Sequence, residues 1–415
     1  MKQTAFALLF YATVVLYTIV PAAFGQADGP IPVPEGIPLR TRFDLPASFP
    51  RQQHSAAAAL MDAVTGVTIP LWNYRILSPV DNNWYEGVMV GKSPFESGPG
   101  DTTVVPTVLI PVVLTFTYAS GTSYTFDPGA PDPGCLGTGN TALSLTQQSP
   151  LVNDATFIMG GTFVGYTQYS DAFQRANFWS TVQTKGQYRT LLGVATLPPQ
   201  VVTVPSTNTG RPQGTVYAFA NQCGTNTGDT NLPGYLGVMD INFWDPLAQS
   251  LIQALGITST TFPIFLFYNA VMSEDNPTTL NNCCILGYHN AVGSPVQTYG
   301  VGAFDGRNQT LLQGTADTSI LSHEVAEWLT DPLTNNLTPA WGHLGQQPGC
   351  QNNLEVGDPL SGTLLPSVPM PNGFTYHLQE LAFFSWFYRQ QPSMGVNGWY
   401  SDQATFSSDA GAVCH

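Results

Sequence analysis

The chain has 415 residues, and 12 Lys and Arg against 27 Asp and Glu give it a formal net charge of -15. That balance repels phosphate backbones and anionic lipid surfaces, which excludes nucleic acid and membrane surfaces as partners. Only 9% of the residues are charged, against about a quarter in ordinary soluble domains, so any cluster of ionisable side chains stands out. A surface poor in charge and rich in Asn, Gln, Ser and Thr suits an extracellular, even acidic, habitat.

At the N-terminus, Lys2 precedes an apolar run from Ala5 to about Val20, and Ala23-Phe24-Gly25 places small residues where a signal peptidase reads. The run is short for a membrane span, so residues 1–25 read as a cleaved signal peptide. The mature protein is then expected to be secreted, with no membrane attachment. Cys135, Cys223, Cys283, Cys284, Cys350 and Cys414 fit that oxidising compartment as a disulfide set. The adjacent Cys283 and Cys284 are poorly placed to pair with each other. No CxxC spacing points to a cysteine metal site.

The expected elements follow in chain order. Asp28 to about Pro50 is Pro-rich and aperiodic, an extended arm. Ser55–Val64 is a short Ala-rich helix and Thr107–Thr117 a β-branched strand broken by Pro. Helices are expected at Asp171–Ser180 and Asp245–Leu255, with a buried strand at Phe262–Tyr268 and another at Tyr299–Phe304. An aromatic helix is expected over Leu378–Tyr388. The whole reads as an α+β protein with a Pro-rich arm and β-rich N-terminal region over 26–130 and a metal-binding domain over 131–415.

The strongest chemical signal is Ser322-His-Glu-Val-Ala-Glu327. Asp317, Thr318 and Ser319 offer N-caps, and Pro332 stops the run after Asp331. On that helix His323 and Glu327 stand one turn apart on one face, as the first two ligands of helical zinc sites do. Glu324, about 100° around the helix, is the candidate catalytic base beside a metal-bound water. The chain has only 8 Glu and 6 His, yet His323, Glu324, Glu327 and Asp331 fall within nine positions.

The stretch from Ser322 to Pro332, followed by Ala340-Trp341 and Leu354-Glu-Val-Gly-Asp358, resembles a signature of uncharacterised secreted bacterial proteins with a zincin-like motif. More loosely it resembles the plant phosphate-induced, EXORDIUM-type secreted proteins. The resemblance covers about residues 318–360 and implies a zincin-like fold with Zn2+, or another divalent metal, as cofactor. In the gluzincin branch a later Glu completes the site and a nearby acidic residue orients the first His. By that resemblance Glu355 and Asp358 take these two parts, in either order, because their spacing of three departs from the branch's four. His343 and His289 are rival third ligands; His54, His377 and His415 are weaker candidates, with Tyr376-His377 a conceivable hydrogen-bond donor.

The expected function is a metal-dependent hydrolase, most plausibly a peptidase with a peptide or protein substrate. The alternative is a secreted binding or structural protein on a catalytically weak scaffold of the same kind. Exported protein should begin near Gln26 or Asp28 and show no titratable thiol when denatured without reductant. N-terminal sequencing and thiol titration check this, and an intact Met1 would contradict it.

Overall fold

The structure, a computed structural model, describes residues 29–33, 41–43, 45–46, 49–96, 102–219, 234–281, 283–306, 314–344, 349–363, 365–412 and 414. The expected signal segment, Cys223 and His415 lie outside these. With about 20% helix and 36% strand, the fold is α+β. No helix among the described residues is long and apolar enough to cross a membrane.

The strand Thr102–Tyr118 is the spine of a 12-stranded mixed sheet. Its first half pairs in parallel with Arg189–Thr196 and its second half with Gln200–Ser206. On its other edge Phe262–Tyr268 runs parallel opposite Thr107–Pro111. Two prolines in a central strand would remove ladder hydrogen bonds, but both sit where the ladder has gaps. Pro106 precedes the first residue paired with Phe262–Tyr268, and Pro111 falls between the two partners on the opposite edge. Beyond Phe262–Tyr268 the sheet continues with Gln297–Phe304 in parallel and ends with Gly287–Val292 antiparallel. The spine belongs to the same sheet as these later strands.

Phe262–Tyr268 is buried along its whole length, which requires apolar side chains on both faces. Phe262, Ile264, Leu266 and Tyr268 pack with Leu321, Val325 and Trp328 on one face. Phe265 and Phe267 pack with Trp244, Ala248 and Ile252 of the helix Ile241–Ala254 on the other.

The motif helix runs Ser319–Thr330, with every residue buried. It lies against Gln297–Phe304 and Gly287–Val292. The Trp328 ring stacks on Phe262 at 3.6 Å, 8° between planes, and its Nε1–H donates to Thr298 Oγ1 at 3.0 Å. Gly302 permits the close approach, since a Cβ there would meet Leu321 at 2.6 Å. Thr318 is the N-cap residue but makes no side-chain capping bond. Asp317 instead accepts the N–H of Thr318 and of His377 and pairs with His377 Nδ1 at 2.6 Å.

Two expectations are corrected. The aromatic helix expected over Leu378–Tyr388 is a single turn, Phe384–Phe387. The N–H groups of Leu378, Ala382 and Phe383 bond to Pro366, Val356 and Tyr400 carbonyls, so this segment is tied to other parts of the chain rather than to its own preceding turn. Cys283 and Cys284 are bonded to each other: the peptide between them is cis, which brings their Cα atoms to 3.0 Å. Cys350 pairs with Cys414, and no described cysteine is free.

The Trp328–Phe262 stack fastens the motif helix to the sheet. Trp328→Ala should lower unfolding free energy by about 3–5 kcal/mol, read from urea denaturation. A loss under about 1 kcal/mol would show that the helix is held elsewhere.

Candidate metal centre

The helix sets His323 Nε2 and Glu327 Oε1 3.0 Å apart. After the helix the chain turns through the hairpin Leu337–Gly342 and Cys350–Asn353 and brings residues 354–358 back across it. There Gly357 N–H and Asp358 N–H donate to Glu327 Oε1 at 3.0 and 3.3 Å. Asp358 Oδ1 ends 3.6 Å from His323 Nε2. Only glycine fits at 357, because the His323 ring stands where a Cβ would be. Phe43 stacks on the same ring at 4.3 Å, 20° between planes. His323, Glu327 and Asp358 thus each offer one ligand atom within 4.8 Å of the others, and all three are buried.

A second group lies beside the first. The edge strand Gly287–Val292 carries His289, whose Nε2 donates to the Asp331 carbonyl at 3.0 Å. Its Nδ1 faces Glu324 Oε2 at 3.7 Å and Glu327 Oε2 at 4.0 Å, and its Nε2 is 3.8 Å from Glu355 Oε2. Glu355 Oε1 accepts from Asn353 Nδ2 at 2.9 Å. His289, Glu327 and Glu355 form a second ligand group within 4.8 Å, again buried. Gly287 leaves room for Glu324, whose Cγ would lie 2.8 Å from a Cβ at that position.

The electrostatics follow from burial. Desolvation pushes His289 down to about 3, which keeps its imidazole neutral, the form that ligates metals. Glu355 is pushed well above the usual carboxylate range by burial, then by the charges of Glu327, Asp331 and Asp358. Burial raises Asp331 to about 7 against the backbone N–H groups of Asn336 and Asn335. Among the described residues, Arg51 is a positive charge acting on Asp331 and Glu355. A buried carboxylate costs several kcal/mol unless it is compensated, and a divalent cation is one group that would offset that cost. The nitrogen and oxygen donors suit zinc or manganese, and neither set contains a cysteine.

The candidate residues therefore divide. Asp358 joins His323 and Glu327, whereas Glu355 and His289 meet on the other oxygen of Glu327. His289 belongs to a neighbouring group rather than competing for the first. His343 donates from Nδ1 to the Asp358 carbonyl at 3.0 Å and is in neither set; it supports the backbone that carries a ligand. His377 sits at the start of the motif helix on Asp317, and Tyr376 donates to the Leu145 carbonyl, so that pair does not reach the centre. His54 contacts the Ala291 carbonyl at 2.8 Å. Phe43 and Gly357 carried no local signal, since an aromatic in a Pro-rich arm and a glycine in a turn are ordinary. No protein family matches the chain, and no curated protein or solved structure is detectably similar to it.

One pH dependence follows for protein kept in chelator. The Glu355 carboxyl is raised above its ordinary value of 4.5 when folded. Its contribution to stability is fully present below that value and is lost as pH rises. Glu355→Gln cannot ionise, so the variant should gain stability relative to the parent steadily above about pH 4.5. Urea midpoints of both proteins between about pH 4 and 8 check this, and a pH-independent difference would contradict it.

Proposed function

We propose that the protein is an exported, divalent-metal-dependent hydrolase with a zincin-like centre, acting on peptide bonds. The convergence of His323, Glu327 and Asp358 on one buried point carries the reading. His323, Glu327 and Asp358 would hold the ion, Zn2+ first, with Glu355 outside this set. The ion supplies Lewis acidity and lowers the pKa of water.

Glu324 takes the proton of the water that adds to the scissile carbonyl and returns it to the departing amine nitrogen. Gly287 gives its side chain room, and His289 Nδ1 lies 3.7 Å from its Oε2. His343 and Gly357 hold the Asp358 backbone and the His323 ring in place. One His with two carboxylates cancels the charge of a divalent ion, so a single ion here acidifies water less than a site with two His and one carboxylate.

A second reading is favoured by one observation. His323, Glu327 and Asp358 are almost completely buried and Phe43 covers the His323 ring, whereas catalytic zinc sites keep an open position. A secreted binding or structural protein with a closed metal site has that property.

Elemental analysis and peptide turnover decide between them. The hydrolase reading expects a stoichiometric metal, lost in His323→Ala, and a turnover that falls about 10²–10⁴-fold in Glu324→Gln with metal retained. Metal without turnover in the parent supports the structural reading. Absence of metal from the parent sinks both.

A further inference from the structure

Glu327 is shared by two sets of ligand side chains. Its Oε1 stands 3.0 Å from His323 Nε2, and its Oε2 stands 4.0 Å from His289 Nδ1. We propose that the protein holds two divalent cations bridged by the Glu327 carboxylate, one on His323 and Asp358 and the other on His289 and Glu355. The first ion is that of the proposed function, on which this inference rests; the second is new.

The surroundings of His289 carry the second position. The Asp331 carbonyl can only accept, so His289 Nε2, 3.0 Å away, holds the ring's N–H. Such an outer contact fixes the tautomer of a ligating imidazole and leaves the other nitrogen as the ligand. That nitrogen, Nδ1, faces carboxylate oxygens of Glu324 at 3.7 Å and Glu327 at 4.0 Å. These gaps are too long for hydrogen bonds. Two atoms that each bind one ion at about 2.1 Å lie roughly 3 to 4.2 Å apart, so the gap to Glu327 matches an ion held between them.

Glu355 adds an independent observation. Asn353 holds its Oε1 at 2.9 Å, while its Oε2 is buried and has no hydrogen-bond partner among the described residues. A buried carboxylate oxygen in that state is costly unless something positive meets it. One atom from each of His289, Glu327 and Glu355 lies within 4.8 Å of the others. Carboxylate-bridged ions about 3.5–4 Å apart clamp both the attacking and the leaving atom in hydrolysis. The second ion also restores the Lewis acidity that one ion on two carboxylates lacks.

The test uses the full mature chain, stripped with chelator and titrated with Mn2+ alone. Bound ions are counted by native mass spectrometry and their coupling is read by electron paramagnetic resonance. The parent should bind two Mn2+ with an exchange-coupled spectrum. His289→Ala and Glu355→Ala, checked for folding by circular dichroism, should each bind one and show an uncoupled signal. A parent that binds one ion, kept in His289→Ala and lost in His323→Ala, overturns the second position and leaves the proposed function standing. A parent that binds none overturns both.

Discussion

The contact on which the centre depends is the pair of backbone donations from Gly357 and Asp358 to Glu327 Oε1. Hydrogen bonds to a charged acceptor contribute about 1.5–3 kcal/mol each, and these two join the motif helix to the segment that returns over it. They place Asp358 beside His323 and fix which oxygen of Glu327 turns toward His289. The same carboxylate is thus a fastening between two parts of the chain and a candidate ligand. Its helix is itself referred to the sheet through Trp328 and Phe262. The site inherits its geometry from the core.

Burial sets the energetic character of this arrangement. Glu324, Glu327, Asp331, Glu355 and Asp358 are all buried around His289 and His323. In such a medium a satisfied polar network is strong and an unsatisfied one is costly. Asp331 is satisfied by backbone, through the N–H groups of Asn335 and Asn336. Glu324, Glu327, Glu355 and Asp358 instead face the two imidazoles.

Closure of the centre is part of the fold. Arg42 joins the chain beside the Cys283–Cys284 disulfide, donating its N–H to the Cys284 carbonyl and accepting from Leu286 N–H. This backbone pairing delivers Phe43 onto His323. Edge strand, disulfide and arm therefore meet at His323, the first side chain of the motif, whose ring Phe43 covers.

Periodicity and local chemistry by themselves determined the motif helix, the buried strand Phe262–Tyr268 and the short helix after Ser55, because each has a pattern contained within one element. The sequence likewise determined that His323 and Glu327 share a helix face, a consequence of the 3.6-residue turn. It did not determine the partners. Whether Glu355 or Asp358 reaches His323 depends on how the hairpin Leu337–Asn353 returns, and His289 comes from an edge strand more than thirty residues upstream. The segment Leu378–Phe383 reads as helix but its backbone bonds go elsewhere, and Cys283 pairs with its neighbour. These outcomes rest on contacts between residues far apart in the chain. Such contacts leave no local periodicity, so only the tertiary structure decided them.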